Sequence, residues 1–491
     1  MEYICVREAA EKWNMTERRV TALCRDGRIY GAKKTGKLWI IPQNAARPID
    51  ARTKEYAKAI ESSLPGNIKA AEQGLASFDF LAEADVEQDG RHSAADAASL
   101  TLRTYEKIYK KKPDDNIFTP YRLCLLGAHC DHQKGKIAGF AIDKGIHMAY
   151  GAKQNGVVEL ASPQFPRRAQ WHVHETPQEK QNDWADSLRG AVRALNKRYH
   201  LRVGLSAIFY GELPIGGLSS SAAMMLAFLA ALCRVNDISA TEKELIRISL
   251  EAEEGFAGVN CGMLDRACEV YSRKDALLCV DMRDESYELL PRNKRMKPFK
   301  IALFFTGMTP TLKSSEFNRR IEECKAAAFA LMAFAGLPFV SFEEANLAAV
   351  ARDIYLEYAD RLPQDWRRRA RHWYSEQALL EEGIKAWKRG DLEEFGRLVT
   401  LGGRSSIENW QTASPELIKL YELLCAEGGV YGARLVGSGF KGCCMALVEP
   451  EREAEIAEDV IASFRGAYPE ASAAKAYVCE TEDGIKLAVS R

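Results

Sequence analysis

The stretch Pro214–Met225, P-I-G-G-L-S-S-S-A-A-M-M, constrains this chain more than any other. Gly216 and Gly217 permit a tight loop with close backbone approach. Leu218 follows, and Ser219, Ser220 and Ser221 then lead into an apolar run, Ala222–Cys233, that fits a buried helix. A glycine turn feeding a helix N-terminus offers free N–H groups and the positive end of the helix dipole, which suits a phosphate. Hydroxyls at that mouth also suit Mg2+. The same residues equally fit a serine N-cap on a core helix. No lysine follows the glycines, so this is not a Walker A loop.

A helix that apolar needs a large core around it. The 491 residues are 47% hydrophobic and 28% charged, which supports two or three domains. Formal net charge is zero, so the chain as a whole carries no polyanion signature. Residues 1–52 depart from that balance, with eleven basic and six acidic residues. Thirteen cysteines include no C-x-x-C pair, and several (Cys124, Cys233, Cys279, Cys425, Cys444) sit in apolar runs. That pattern predicts reduced thiols, no zinc site and a cytoplasmic protein. No signal-type segment opens the chain, and the apolar runs are too short to span a bilayer, so no membrane partner is expected.

Residues 3–43 form a self-contained pattern. Val6–Trp13 and Thr16–Arg25 read as helices around an Asn14-Met15 turn, with Thr16 as N-cap. Strands follow at Arg28–Ala32 and Lys37–Ile41 around Thr35-Gly36. The run "ICVREAAEKWNMTERRVTALCRDGRIYGAKKTGKLWIIP" resembles the excisionase and MerR-type winged helix-turn-helix family. The resemblance implies a DNA-binding module in which Arg18, Arg19, Thr21 and Arg25 face a groove. Lys33, Lys34 and Lys37 would then lie on the wing against phosphates. The competing reading is a solvated basic face used for protein contacts.

The expected division is a winged helix-turn-helix domain at 1–52, a connector at 53–100, and two lobes at 101–290 and 291–491. Within the lobes Val157–Ala161, Leu205–Tyr210 and Ile301–Thr306 read as strands. Asp186–Tyr199, Ser221–Cys233, Thr241–Ala252, Asn318–Ala335, Trp387–Leu398, Pro415–Leu424 and Glu451–Phe464 read as helices. That mixture is an α+β body.

Three ordered stretches carry a second resemblance. They are "TPYRLCLLGAHCDHQKGK" at 119–136, the glycine–serine turn, and "YGARLVGSGFKGCCMALV" at 431–448, supported by "AEEGFAGVNCGMLDRA" and "SSEFNRRIEEC". Together they resemble the GHMP small-molecule kinases, specifically the galactokinase branch. The resemblance implies a two-lobed α+β fold, with a ribosomal-protein-like first lobe and a ferredoxin-like second lobe. It implies ATP and Mg2+ as cofactors and phosphoryl transfer to the anomeric hydroxyl of a sugar. Asp265 then matches the catalytic carboxylate and Arg122 the guanidinium beside it. Ser221 and Glu253 match the Mg2+ ligands. Gly216, Gly217, Leu218, Ser219 and Ser220 match the nucleotide loop, and Trp184 the aromatic on the adenine side. His129, Asp131 and Gly262 fall at sugar-binding positions. Oligomeric state is left open.

The departures from that branch bear on the sugar. Ala128 replaces a glutamate, His132 and Phe317 each replace a tyrosine, and Arg266 replaces a glutamine. Tyr121 and Cys124 replace a glycine and an asparagine, and the phosphate loop is one residue shorter. In the family the missing glutamate faces the 6-hydroxyl. Its loss removes a hydrogen bond worth about 1.5–3 kcal/mol to galactose. It also removes a repulsion of roughly 4 kcal/mol, about three decades, against a carboxylate at C6. The stretch "PYRLCLLGAHCDHQKG" is most similar to galacturonokinases. Galacturonate is therefore the expected substrate, with galactose as the alternative, and His129, His132 or Arg266 the expected partners of its carboxylate. A kinase-like sugar sensor with a DNA-binding output is the reading from another class.

Overall fold

The computed structural model describes residues 3–13, 15–25, 33–35, 38–43, 94–165, 167–214, 217–257, 262–308, 314–338, 340–437 and 442–487. The chain divides into two compact units, Met1–Val86 and Glu87–Arg491.

In the first unit β1 (Tyr3–Cys5), α1 (Val6–Trp13), α2 (Glu17–Arg25), β2 (Lys33–Thr35) and β3 (Leu38–Pro42) follow one another. The strands form an antiparallel sheet in the order β1-β3-β2. Ala9, Ala10 and Trp13 meet Val20, Cys24 and Ile41 in one small core. Burying Val20 and Cys24, four residues apart on α2, leaves Arg18, Arg19, Thr21 and Arg25 exposed. Thr16 Oγ1 accepts the Arg19 N–H at 3.3 Å. The strand expected at Arg28–Ala32 lies outside the described residues, as do Lys37 and the side chain of Lys33.

The second unit opens, among described residues, with α3 (Ala94–Tyr109). Its Ala97 and Tyr105 are fully buried, and the Tyr105 hydroxyl lies 2.7 Å from Ser206 Oγ. Residues 94–100 therefore belong to the body, which corrects the connector expected at 53–100. Next come β4 (Asp115–Leu126), β5 (Lys136–Lys153), β6 (Val157–Ala161), β7 (Ala169–His172), α4 (Asp186–Asn196) and β8 (Gly204–Gly211). They are followed by α5 (Ser220–Val235), α6 (Glu242–Ala252), α7 (Leu264–Tyr271), β9 (Ala276–Asp281) and β10 (Ser286–Pro291). The long strand β5 organises this lobe, pairing antiparallel with β4, β8 and β9. Helix α5 has buried residues throughout Ala222–Cys233 and packs against β4 and β5.

The second lobe contains β11 (Lys300–Phe305), α8 (Ser314–Phe334), α9 (Arg352–Tyr358), α10 (Gln364–Arg389), α11 (Leu392–Ser405) and α12 (Pro415–Ala426). It ends with β12 (Val430–Leu435), β13 (Cys443–Val448), α13 (Glu453–Ala467), β14 (Lys475–Cys479) and β15 (Thr481–Glu482). Its antiparallel sheet runs β12-β13-β11-β14, the order of a ferredoxin-like lobe with helices inserted after its first strand. Strand β15 returns to the first sheet and pairs with Ile142 and Ala141 of β5, so the last strand crosses the boundary expected at 290 and 291. The helix expected at Trp387–Leu398 is two helices. Gly390 is left-handed at φ 80°, and Asp391 caps α11 by accepting the Glu394 N–H.

Candidate active site

Strand β4 carries Arg122 into the body, where it is 5% exposed. Helix α7 brings Asp265 opposite it. Arg122 Nε donates to Asp265 Oδ1 at 2.6 Å, and its Nη1 donates to the Gly217 carbonyl at 2.9 Å. Ser219, left-handed at φ 60°, donates its hydroxyl to Asp265 Oδ2 at 2.5 Å instead of capping α5. The carboxylate, the guanidinium and the glycine–serine turn thus meet at the mouth of α5. Ser220 and Ser221 are half-buried there, Leu218 is 2% exposed, and Gly216 lies outside the described residues. Gly217 is left-handed at φ 82°, and a Cβ on it would sit 2.6 Å from the Val436 carbonyl. The C-terminal glycine motif is therefore packed directly on the turn.

Between β4 and β5 the loop after Gly127 holds a short 3-10 turn at Asp131–Gln133. Asp131 Oδ2 accepts the Leu264 N–H at 3.4 Å, and a Cβ at Gly262 would lie 1.5 Å from the same oxygen. Gly262 is the residue that lets the carboxylate approach α7. Burial, reinforced by Asp265, holds the Asp131 carboxyl above its usual value. His129, left-handed at φ 58°, stacks on Trp410 at 4.9 Å, with Phe317 edge-on at 6.0 Å. His132 lies 5.4 Å from Trp410. Among the described residues neither His132 ring nitrogen has a hydrogen-bond partner, nor has Trp410 Nε1. Burial, then His372, pushes His132 down to about 3, so the ring is neutral at physiological pH.

Arg266 is the correction at this site. It is fully buried, donates its Nε–H to Ser249 Oγ at 3.1 Å, and forms an ion pair with Glu253. A side chain sealed in that position does not meet a sugar carboxylate. Trp184 is half-buried, stacks on Phe165 at 5.0 Å and donates its Nε1–H to the Arg167 carbonyl. Ala128 is 7% exposed, with its carbonyl 2.9 Å from His372 Nε2.

Sequence reasoning missed several supporting residues. Glu376 of α10 and Arg434 of β12 are both fully buried and paired at 3.2 Å. Glu376 accepts the Gly127 N–H at 2.6 Å, and Arg434 donates to the Leu125 carbonyl, so this pair clamps the start of the sugar-motif loop. Its one sequence signal was a lone arginine inside the apolar run of the third motif. His372 and Trp410 belong to no motif. Glu269, one turn after Asp265, is fully buried, and neither of its carboxyl oxygens has a hydrogen-bond partner among the described residues.

A carboxylate and a guanidinium locked together at a helix mouth, where the turn before α5 meets the end of β12 in the second lobe, suit phosphoryl transfer. Residues 186–273 match the GHMP kinases N terminal domain, and residues 380–466 match the GHMP kinases C terminal domain. Galacturonokinase of Arabidopsis thaliana is 33% identical over 396 residues, covering 76% of this chain and 93% of that protein. Galactokinase of Roseiflexus sp. is 28% identical over 382 residues, covering 78% and 95%. The crystal structure of Lactococcus lactis galactokinase complexed with galactose superimposes with a TM-score of 0.72 at 24% identity, covering 79% of this chain and 98% of that one. The chain belongs to the GHMP kinase family and is a sugar 1-kinase of its galactokinase branch.

Proposed function

We propose that this kinase transfers the γ-phosphoryl group of ATP to the anomeric hydroxyl of galacturonate. Asp265 carries the reading: its carboxylate takes the proton of the attacking hydroxyl while Arg122 and Ser219 fix its orientation. Arg122, bound to the turn through Gly217, also places positive charge beside the transferring group. The N–H groups at the mouth of α5 take the nucleotide phosphates.

The donor set suits Mg2+, a hard cation that keeps several waters and shares its site with substrate phosphates. Ser221 and Glu253 would hold it, with Arg266 orienting the Glu253 carboxylate. When bound, Mg2+ neutralises phosphate charge.

Two observations favour the uronate over galactose. Ala128 places no carboxylate at the C6 end. Beside it, His132 is half-buried and its ring nitrogens have no partner among the described residues, which fits a bound carboxylate. A neutral His132 does this as a hydrogen-bond donor rather than as a cation. The 33% identity to a galacturonokinase agrees with this reading. Coupled ADP release on both sugars tests it. Galacturonate is expected to show the higher kcat/KM, and an equal or higher value on galactose overturns the assignment. Ala128→Glu is expected to invert the preference.

For residues 1–52 we propose DNA contact through α2, on the strength of its exposed Arg18, Arg19, Thr21 and Arg25, with Lys34 on the hairpin. A gel shift on the gene's own upstream DNA at low salt, with and without sugar and ATP, tests this. No shift under any of these conditions makes the module a protein-contact element.

A further inference from the structure

Behind the loop that carries Asp131 and His132, the second unit contains a cavity of about 250 Å³. Four cations line it: Lys134, Lys136, Arg283 and Arg352. Lys136 and Arg283 share one counter-charge, Asp281. Among the described residues no carboxylate lies within ion-pair distance of Lys134 or Arg352. Glu381 is the one carboxylate in the lining, so positive charge is in excess. The wall is aromatic, made by Trp373 and Tyr374, which are 8% and 6% exposed. The Tyr374 hydroxyl is already bonded to the Val350 carbonyl at 2.9 Å. Trp373 Nε1 lies against Gly135 and away from the cavity, so the wall presents the ring itself. Four cations around a concave surface, with Glu381 and Asp281 as the only carboxylates among the lining residues and their ion pairs, suit an anionic ligand.

The volume is below the range of about 300–1,000 Å³ usual for drug-sized ligands, so the occupant is small. An aromatic wall suits a ring, and the cations suit a phosphate. None of Arg122, Ser219 and Asp265 lines the cavity. We propose that it binds a phosphorylated monosaccharide as a site separate from the catalytic one, and that occupancy tunes sugar affinity. The route is short. The Lys134 N–H bonds the Asp131 carbonyl at 3.0 Å, closing the turn that carries the Asp131 and His132 side chains. Gln377, also in the lining, holds both the N–H and the carbonyl of Lys136, at 2.8 and 2.9 Å. An anion drawing Lys134 and Arg352 together would stiffen that turn. This second part rests on Asp131 serving the sugar; the binding does not.

Isothermal titration of the full chain with glucose 6-phosphate and, separately, with inorganic phosphate tests the proposal. Saturable binding of the hexose phosphate is expected, weakened at least about tenfold in the Lys134→Ala/Arg352→Ala double variant. Equal affinity for inorganic phosphate identifies the free ion as the occupant and still supports an anion site. In the wild type, glucose 6-phosphate is expected to shift the sugar KM about fivefold or more at unchanged kcat, an effect absent from the double variant. No binding at millimolar concentration, or identical affinity in the folded double variant, overturns the site. Binding without a change in KM overturns the coupling.

Discussion

Both oxygens of Asp265 accept a hydrogen bond, one from Arg122 and one from Ser219, and this fixes the direction of the lone pairs left for a substrate proton. Asp265→Asn keeps the shape and removes the proposed base. It is expected to lower kcat by about 10²–10⁴-fold in steady-state ADP release while circular dichroism stays unchanged. Four residues further along α7, Glu269 poses a different problem. Burial first, and Asp265 second, pushes its carboxyl well above the ordinary 4.5. The folded chain therefore holds a proton that the unfolded chain releases. The associated stability is complete below about pH 4.5 and declines as pH rises through the folded-state value. Glu269→Gln carries a permanently neutral group. It is expected to raise Tm at pH 8 by about 2–4 °C over wild type, with little gain at pH 5. An equal change at both pH values would show that Glu269 does not titrate in this way.

Two contacts between elements hold the site loops. The turn before α5 lies against the end of β12 so closely that Gly217 and Gly437 leave no room for a Cβ. Gly217→Ala meets both a positive φ and the Val436 carbonyl, at a cost of about 1–3 kcal/mol or more. The displaced turn is expected to raise the KM for ATP before global stability fails, which parallel kinetics and thermal melts will separate. The Glu376–Arg434 pair joins α10 and β12 to the start of the sugar-motif loop. Removing one partner leaves a buried charge, so Arg434→Met is expected to cost about 3–5 kcal/mol in chemical denaturation. Adding Glu376→Leu is expected to recover only part of that. The Gly127 N–H and the Leu125 carbonyl, which the two side chains satisfied, would still lack partners.

All the described candidate catalytic, metal and sugar residues lie in the second unit, Glu87–Arg491. A chain beginning at Glu87 is therefore expected to keep the kcat/KM of the full-length protein, and a loss of activity would assign the first unit a part in catalysis. Among the described residues no helix is long and apolar enough to cross a membrane. The amino-acid sequence alone determined the glycine–serine turn, the apolar helix behind it, most of the described helices and a minority of the strands, and its resemblance to the kinase family implied Asp265 and Arg122 as partners. Those are local patterns or ordered motifs, and they survive being read along a line. The junction at Gly390 was missed because one apolar periodicity runs through both helices. The two-helix break depends on a left-handed glycine and on the Asp391 cap. Only the tertiary structure decided that Arg266 faces Glu253 rather than the sugar, and that Trp410 stacks on His129. It also decided that Glu376 reaches Arg434 across the body. Burial and pairing between residues far apart in sequence depend on where the lobes bring their backbones together, and no spacing along the chain encodes that distance.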